Sequence, residues 1–304
     1  MSFIRWNGRN YYQKRRKPVK PDINELMKPL GEKQFKGNVW GSVIMNVEKD
    51  GITPTPTIDP DYQAVLDYAT TQGYTLPSTS GQTLQNNLVV SLKSAGIWSD
   101  LDLFYVFATD GDDDFATINW KSISSYQGII NGLITLYQNQ GFRPDTANVA
   151  NYINTQFNWN TNGTGYTQDD ACRFLWDYDA TYIGAVYDGQ LGGARETFNG
   201  GNNNLHRITQ DSASLPTNFD NTGSGFKMIQ RTSSTNVNLY NNTTTPTSFN
   251  VNSAPSPNTD PQTIFRRGGS GNSQNFISLY GMGASLSGKE TALFNALTTY
   301  MSGL

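Results

Sequence analysis

Three aspartates at alternate positions form the first candidate site. Asp110, Asp112 and Asp114 have the D-x-D-x-D spacing that begins a calcium-binding loop, and calcium takes about six to eight oxygen ligands. An EF-hand loop then needs Gly at its sixth position and Glu at its twelfth, where this sequence has Phe115 and Lys121. The mismatch favours a solvated loop, and a structural calcium ion is the only cofactor that the pattern suggests.

A second acidic group lies among aromatic residues in the C-terminal half. The acids are Asp177, Asp179 and Asp188. Aromatic faces stack on sugar rings, so the neighbouring aromatic side chains are candidate glycan contacts. These candidates are Trp176, Tyr178 and Tyr182. The alternative is an ordinary strand with its aromatic residues pointing inward and its acids outward, because strand residues alternate between faces.

The acidic and basic residues give weak support for an enzyme. A retaining glycosidase needs two carboxyl groups roughly 5 Å apart, and the only glutamates after residue 141 are Glu196 and Glu290. Glu290 follows Ser287 by three residues, which predicts a helix-capping box instead of a catalytic acid. His206 is the single histidine and has no nucleophile motif beside it. We therefore predict a non-enzymatic protein and keep a glycoside hydrolase as the least favoured alternative.

The C-terminal half has the pattern of a β-sandwich. Short apolar and aromatic segments alternate there with polar loops. Residues 226–240 predict a hairpin that turns at a Ser-Ser-Thr-Asn segment. Residues 276–282 predict a last strand that leads into a terminal helix, with Leu293 and Leu297 on one face. Residues 141–304 are thus expected to form an antiparallel β-sandwich of the jelly-roll type, closed by a helix.

The middle of the chain predicts helices. Residues 60–73 and 82–95 carry apolar residues at helical spacing, and glycines follow or end both segments. A third helix is predicted from Ser99, with its large apolar side chains inward. The sequence therefore predicts a small helical domain at residues 60–140, preceded by a stiff Thr/Pro linker at residues 51–59.

The first 50 residues differ from the rest of the chain in charge. They hold 11 Lys/Arg and 5 Asp/Glu, although the whole chain has a net charge of −3. Prolines and the lack of a lasting periodic pattern predict an extended arm. Such an arm is ordered by contact with another protein or with this protein's own body, and nucleic acid is the less favoured partner. The residues expected to anchor it are Trp6, Tyr11, Tyr12, Lys14, Arg15, Arg16 and Lys17.

Composition bounds the class of protein. Charged residues make up 15% of the chain, below the roughly 25% of a typical domain, while aromatic residues at 12% predict real hydrophobic cores. Cys172 is the only cysteine, so an intrachain disulfide is excluded. The longest apolar run has about six residues and predicts no membrane span. The N-terminus lacks the apolar core of a secretory signal, so synthesis in a cytoplasm is expected.

Two short motifs and the C-terminal segments carry a family resemblance. The motifs are L-x-x-F-Y-x-F at residues 101–107 and I-N-W at residues 118–120. The hairpin QRTSSTNVNLYNNTTT and the ending FISLYGMGASLSGKETALFNALTTYMSGL resemble the laminin-G/concanavalin A-like sandwich. Taken together, residues 59–304 resemble structural proteins of bacteriophages that infect Bacteroidetes. The resemblance covers about four-fifths of the chain.

The resemblance implies a virion structural protein that is made in the host bacterial cytoplasm. Such a protein would dock to other virion proteins, of the capsid or tail, through its N-terminal arm and would form a homo-oligomer. Its concanavalin A-like sandwich would be displayed as part of a spike, fibre or vertex protein and would touch host-surface glycans. The alternative is a secreted or surface carbohydrate-binding module, against which stand the missing secretory signal and the missing disulfides.

Overall fold

The computed structural model divides the chain into two compact units, Met1–Thr55 and Pro56–Leu304. In the first unit it describes the backbone of residues 3–6 and 9–12. In the second unit it describes residues 57–179, 186–190, 197–199, 206–210, 222–254, 260–268 and 274–304. The division between the units falls inside the predicted Thr/Pro linker.

The described part of the first unit is a pair of short antiparallel strands. They are β1 (Phe3–Trp6) and β2 (Arg9–Tyr12), with Phe3 opposite Tyr12. The sequence does not predict this pair, because strands of four residues are too short to establish a period-two pattern. Trp6, Tyr11 and Tyr12 of the predicted anchor lie on these strands. Lys14, Arg15, Arg16 and Lys17 lie outside the described residues.

The described residues of the second unit form two antiparallel sheets. Its strands are, in chain order, β3 (Leu101–Val106), β4 (Ile129–Asn131), β5 (Ile134–Tyr137), β6 (Gly141–Pro144), β7 (Tyr152–Asn154), β8 (Ala171–Asp177), β9 (Val186–Gln190), β10 (Thr197–Asn199), β11 (Gly225–Arg231), β12 (Asn236–Asn241), β13 (Thr247–Asn250), β14 (Gln262–Ile264) and β15 (Ile277–Gly283). The larger sheet has eight strands in the order β13-β12-β11-β8-β15-β6-β5, and β3 also pairs with β15. The smaller sheet has five strands in the order β10-β9-β14-β7-β4.

The described residues of the second unit include five helices: α1 (Pro60–Gln72), α2 (Thr79–Ser94), α3 (Asp113–Ala116), α4 (Trp159–Asn162) and α5 (Glu290–Gly303). Three of them, α1, α2 and α5, form a layer on one face of the larger sheet. Asp59 caps α1 and Ser78 caps α2, each accepting a hydrogen bond from a first-turn backbone N–H. The apolar faces of α1, α2 and α5 share one hydrophobic cluster with the larger sheet. None of the described helices is both long and apolar enough to cross a membrane.

The larger sheet is buried on both faces, and its alternate residues enter two different cores. On β8, Cys172 and Phe174 pack against the helices, and we call this cluster the helix-side core. Ala171 and Leu175 face the smaller sheet and pack with residues such as Phe198, and we call this cluster the inter-sheet core. The order of layers is therefore helices, larger sheet, smaller sheet, and the period-two alternation of strands separates the two cores.

The predicted fold class is confirmed. The chain is mainly β with helical segments, and its strands form an antiparallel sandwich. The helices predicted at residues 60–73 and 82–95 are present as α1 and α2. The predicted hairpin is formed by β11 and β12, with Arg231 opposite Val237 beside the turn.

The prediction of a third helix from Ser99 is wrong. Residues Trp98–Asp100 form one turn of 3-10 helix, and the chain then continues as β3 in the larger sheet. A strand that is buried on both faces is apolar on both faces, so it lacks the alternation that distinguishes a strand from a buried helix. Since β3 pairs with β15, residues 60–140 do not form a helical domain separate from the sandwich.

The two sequence motifs contact each other in the fold. The strand β3 pairs with β15 along one of its edges. At the other edge, the Phe104 N–H donates a hydrogen bond of 3.1 Å to Asn119 Oδ1. The Trp120 N–H donates to the Phe104 carbonyl over 2.9 Å, and the two rings meet edge to face with centroids 5.9 Å apart. The I-N-W segment thus forms hydrogen bonds with both backbone groups of Phe104 and holds the two motifs together.

The predicted capping box at the last helix is absent. The helix α5 begins at Glu290, and no side chain caps its N-terminus. The Glu290 carboxylate instead accepts hydrogen bonds from Gln230 Nε2 over 2.9 Å and from the Tyr240 hydroxyl over 3.1 Å. Glu290 therefore connects α5 to the larger sheet, a contact between distant residues that a local sequence pattern does not encode.

Candidate functional site

The predicted calcium loop has a different role in the structure. Both oxygens of Asp110 accept the Ser78 N–H, each over 3.2 Å. Asp112 caps α3 by accepting the Phe115 N–H over 2.8 Å. Asp114 lies exposed in the first turn of α3. Within the described residues, no group of three or more acidic, histidine or cysteine side chains is placed to hold a metal ion.

The acids of the second predicted group lie in separate environments. Asp177 is completely buried and accepts a hydrogen bond from Asn275 Nδ2 over 2.9 Å. Asp188 is also completely buried, whereas Asp179 is half-buried beyond the end of β8. The alternative interpretation, with acids pointing to solvent, fails for Asp177 because the smaller sheet covers that face of the strand.

Asp188 belongs to a buried polar network between the two sheets. It forms an ion pair of 2.5 Å with Arg173 and accepts a hydrogen bond of 2.8 Å from the Tyr280 hydroxyl. Arg173 and Tyr280 belong to the larger sheet and Asp188 to the smaller, so the network connects the sheets. Burial raises the pKa of Asp188, and the Arg173 guanidinium opposes that shift. All three side chains are fully buried, and their observed contacts tie the sheets together.

His206 lies in the same core beside Phe198, with the two ring centroids 5.8 Å apart. Burial lowers the pKa of His206 to about 3, and the nearby positive charge of Arg173 acts in the same direction. The imidazole is therefore neutral at neutral pH.

An exposed group of aromatic side chains provides the best candidate binding surface. Phe276, which precedes β15, lies between Tyr137 and Tyr178, with ring centroids 5.0 Å and 6.0 Å away. The guanidinium carbon of Arg143 lies 5.1 Å from the centre of the Phe276 ring. Tyr137 is 40% and Tyr178 44% exposed, whereas Phe276 is almost buried. We call these four residues the aromatic platform.

The strands that carry the aromatic platform are held together by close backbone contacts. Tyr137 ends β5 and lies opposite Gly141 in the hairpin with β6. A Cβ atom on Gly141 would lie 2.1 Å from the Ile277 carbonyl oxygen, and the φ of +110° also requires glycine. On the other side, the Tyr178 N–H donates to the Phe276 carbonyl over 3.1 Å. These contacts fix the spacing between the tyrosines, so the aromatic platform is largely preformed.

Of the three predicted glycan contacts, one lies in the aromatic platform. Tyr178 is exposed there, while Trp176 is half-buried and packs against the helix-side core on β8. Tyr182 lies outside the described residues. Tyr137, Arg143 and Phe276 are not predicted from the sequence, because the hairpin of β5 and β6 and the residue before β15 lie far in sequence from each other and from Tyr178.

The aromatic platform combines apolar ring surface with polar groups at its edge. The two exposed tyrosines present rings and hydroxyl groups, and the arginine adds a permanent positive charge. Such a surface suits a ligand with one apolar face and many hydroxyl groups, which describes a sugar ring.

Comparison with known proteins identifies shape relatives only. No family model and no curated protein matches the chain. The binding domain of botulinum neurotoxin DC, solved with rat synaptotagmin II, is 12% identical with a TM-score of 0.44, and the match covers 66% of this chain and 52% of that chain. The chain thus spans about half the length of that structure.

Two further solved structures contain carbohydrate-related ligands. Domain 4 of the Geobacillus stearothermophilus arabinanase AbnA, with arabinotriose, is 12% identical with a TM-score of 0.36, covering 64% of this chain and 98% of that chain. Trypanosoma rangeli sialidase with sialic acid is 10% identical with a TM-score of 0.41, and the match covers 72% of this chain and 40% of that chain. At these identities and TM-scores, the likeness assigns no function to this chain.

Proposed function

We propose that this chain is a virion structural protein that contacts host-surface glycans through the aromatic platform. The observation that carries the glycan contact is the pair of exposed tyrosines flanking Phe276 at ring distances of 5.0 and 6.0 Å. Single exposed apolar residues are common on protein surfaces, but a preformed group of aromatic residues beside an arginine points to binding.

The support for a virion location comes from the sequence. Residues 59–304 resemble phage structural proteins, and the first 50 residues are basic and rich in aromatic residues. In this proposal the arm docks to other virion proteins, and the sandwich faces outward as part of a homo-oligomer. The protein acts by binding and has no catalytic step.

Mass spectrometry of purified virions tests the location. We expect peptides of this chain in particles purified by density gradient, at a ratio to the major capsid protein that does not change with further washing. Deletion of residues 2–50 should abolish incorporation while the protein stays soluble and folded. Absence of the intact chain from particles, or normal incorporation of the truncated chain, would contradict the proposal.

A glycan array with the full-length protein tests the binding surface. The variant Tyr178→Ala should reduce the signal for bound glycans about fivefold, which is the effect of losing one aromatic stacking contact. The matched control is Tyr152→Ala, since Tyr152 also lies beneath an arginine, Arg266, with 4.6 Å from the guanidinium carbon to the ring centre. Equal loss in both variants, or no binding by the intact protein, would refute this binding surface.

A secreted or surface carbohydrate-binding module is the second candidate, and the same aromatic platform favours it. The two functions share the array result and differ in the virion result. Detection of the chain on uninfected cells, together with its absence from particles, would favour the binding module.

A further inference from the structure

A polar cleft lies at the opposite end of β15 from the aromatic platform. The platform lies at the Phe276 end of this strand, whereas Gly283 at its other end pairs with Leu101, which lines the cleft. The seven residues of β15 span roughly 20 Å, so the two surfaces are separate. The cleft has a volume of about 320 Å³, within the range of about 300–1,000 Å³ that small-ligand sites occupy. We call it the Lys121 cleft.

The charge in the Lys121 cleft is incompletely satisfied. The Lys121 ammonium donates one hydrogen bond of 2.5 Å to the Trp98 carbonyl and lies 4.5 Å from the centre of the Trp98 ring. An ammonium has three N–H donors, and Lys121 forms no ion pair among the residues that the structure describes. Burial lowers the pKa of Lys121, and the negative charges of Asp61, Asp102 and Asp100 oppose that shift. Two N–H donors of a half-buried cation are therefore available to a ligand.

The rim of the Lys121 cleft is rigid and rich in hydroxyl and amide groups. Asp102, at the start of β3, accepts hydrogen bonds from the backbone N–H groups of Thr164, Gly165 and Tyr166, between 2.7 and 3.2 Å. These bonds fix the loop that forms one wall, so Asp102 acts as a positioning residue. The Ser122 hydroxyl also lines the cleft and has no hydrogen-bond partner among the described residues. The rim thus offers a free hydroxyl on a fixed frame.

The floor of the Lys121 cleft is apolar and carries backbone strain. Leu101, Tyr126 and Phe157 line it, and the rings of Tyr126 and Phe157 meet edge to face with centroids 5.3 Å apart. Tyr126 has a φ of +58°, which is rare for a bulky residue. Residues held in this region often occur at ligand-binding positions, where the surrounding structure enforces them. Here the Tyr105 hydroxyl donates a hydrogen bond to the Tyr126 carbonyl and holds it in place.

We infer that the Lys121 cleft binds a pyranose that carries a carboxylate group. The ammonium takes the carboxylate, the rim hydroxyl and amide groups take the sugar hydroxyls, and the apolar floor takes the C–H face of the ring. The inference is drawn from the geometry of the cleft alone. It gives the protein a second sugar-binding site, in addition to the aromatic platform of the proposed function. It also gives that function a substrate class, since an acidic sugar would be preferred to a neutral one.

Calorimetry with the full-length protein tests the inference. The probes are methyl β-D-glucuronide, methyl β-D-glucoside and acetate. We expect saturable binding of the glucuronide, with the glucoside and acetate each at least about tenfold weaker, because a charge-assisted hydrogen bond is worth that factor or more. Equal binding of acetate would reduce the site to an anion site, and equal binding of the glucoside would remove the role of the charge. Either result, or no binding of the glucuronide, overturns the inference.

Variants then locate the binding site. Lys121→Met should weaken the glucuronide at least tenfold, and Ser122→Ala should weaken it about threefold to tenfold without disturbing any hydrogen bond of the fold. The matched control Arg266→Met removes the same charge from a cation that lies over the Tyr152 ring outside the cleft, and it should leave affinity unchanged. If Lys121→Met fails to fold, Ser122→Ala tests whether the glucuronide binds in the cleft. Unchanged affinity in Ser122→Ala then overturns the inference. Glucuronide bound at the aromatic platform would be lost in Tyr178→Ala and kept in Lys121→Met, whereas glucuronide bound in the cleft gives the opposite pattern, so failure of the platform and failure of the cleft are distinguishable.

Discussion

The two faces of the larger sheet are both buried but differ in chemistry. On β8 and β11, the helix-side residues are Cys172, Phe174, Phe226, Met228 and Gln230, and the residues facing the smaller sheet include Arg173, Lys227 and Arg231. The helix-side positions of these two strands are thus mainly apolar, whereas the opposite face adds three long cationic side chains to its hydrophobic cluster, and Arg173 among them reaches Asp188 of the smaller sheet. Stacked sheets lie about 10 Å apart, and an arginine is long enough to bridge that gap.

The two cores differ in the interactions that hold the helices and the smaller sheet against the larger sheet. Apolar burial is not directional, so the helix-side core depends on volume and shape. The inter-sheet core depends on partners: Arg231 donates to the carbonyls of Ile208 and Val251, and Arg173 pairs with Asp188. A buried charge that loses its partner is costly, whereas a lost methylene group leaves a cavity of graded cost. The two cores should therefore respond differently to substitution.

The largest expected effect comes from breaking the ion pair between the sheets. Asp188→Ala leaves the Arg173 guanidinium buried without its carboxylate, and we expect a loss of about 3–5 kcal/mol in the free energy of unfolding. The double variant Arg173→Met/Asp188→Leu removes both charges and should recover most of that loss. Urea unfolding of the full chain measures both. A double variant as unstable as Asp188→Ala would show that the loss is one of packing and not of charge.

The second largest expected effect tests the helix-side core, where stability depends on how well the side chains fit together. A Cβ atom on Gly281 would lie 2.1 Å from Phe174 Cζ, so Gly281→Ala should destabilise by about 1–3 kcal/mol through overpacking. Phe174→Leu makes room for that atom, and the double variant should be more stable than the sum of the single effects by at least about 1 kcal/mol.

The control for this cycle is Phe226→Leu, which shortens a neighbouring helix-side ring that does not meet the Gly281 position. Additive effects of Gly281→Ala and Phe174→Leu would contradict a steric origin.

A smaller effect is a pH response that belongs to the inter-sheet core alone. His206 is the only histidine, and its pKa falls from 6.5 to about 3 on folding. The unfolded chain binds more protons between these values, so His206 contributes stability above pH 6.5 that is lost as the pH falls toward 3. At about pH 5 the loss is about 2 kcal/mol relative to neutral pH.

Unfolding measured from neutral pH to about pH 5 should show this slope in the intact protein and lose it in His206→Gln. The raised pKa of Asp188 makes the free energy of unfolding change with pH in the opposite direction. Asp188 is present in both the intact protein and His206→Gln, so its contribution cancels when the two are compared. An identical pH dependence in both would rule out His206 as the source.

The parts of the fold that the sequence predicted are those with one clear period. α1 and α2 show helical spacing with end signals, and the hairpin of β11 and β12 has its turn residues between apolar segments. β3 was missed because both of its faces are buried, so its residues form a continuous apolar run. The alternative that places Asp177 in solvent fails because a single sequence does not reveal that a second layer covers this face of β8.

The candidate sites were less predictable than the fold. Tyr178 was found because it lies in a locally aromatic segment, but Tyr137 and Phe276 approach it only through strand pairing. The Lys121 cleft likewise draws its residues from β3, two loops and the residues before α4, which no spacing rule connects. Asp110 and Asp112 had the right spacing for calcium, yet backbone N–H groups use their carboxylates.

The smallest expected effect comes from breaking the surface ion pairs of the helical layer, which should respond to salt, unlike the buried ion pair between the sheets. Lys93 pairs with Asp59 and Asp61, each over 2.7 Å, and about a third of its side chain is exposed. Lys93→Met should therefore cost only about 0.5 kcal/mol at low salt. At about 1 M salt the Debye length is about 3 Å, so that cost should vanish. The coupling between Arg173 and Asp188 should persist at both salt concentrations because no ions reach it. A Lys93→Met cost that survives high salt would mean that the lysine contributes by packing its aliphatic stem, and Lys93→Arg, which keeps the charge, provides the matched control.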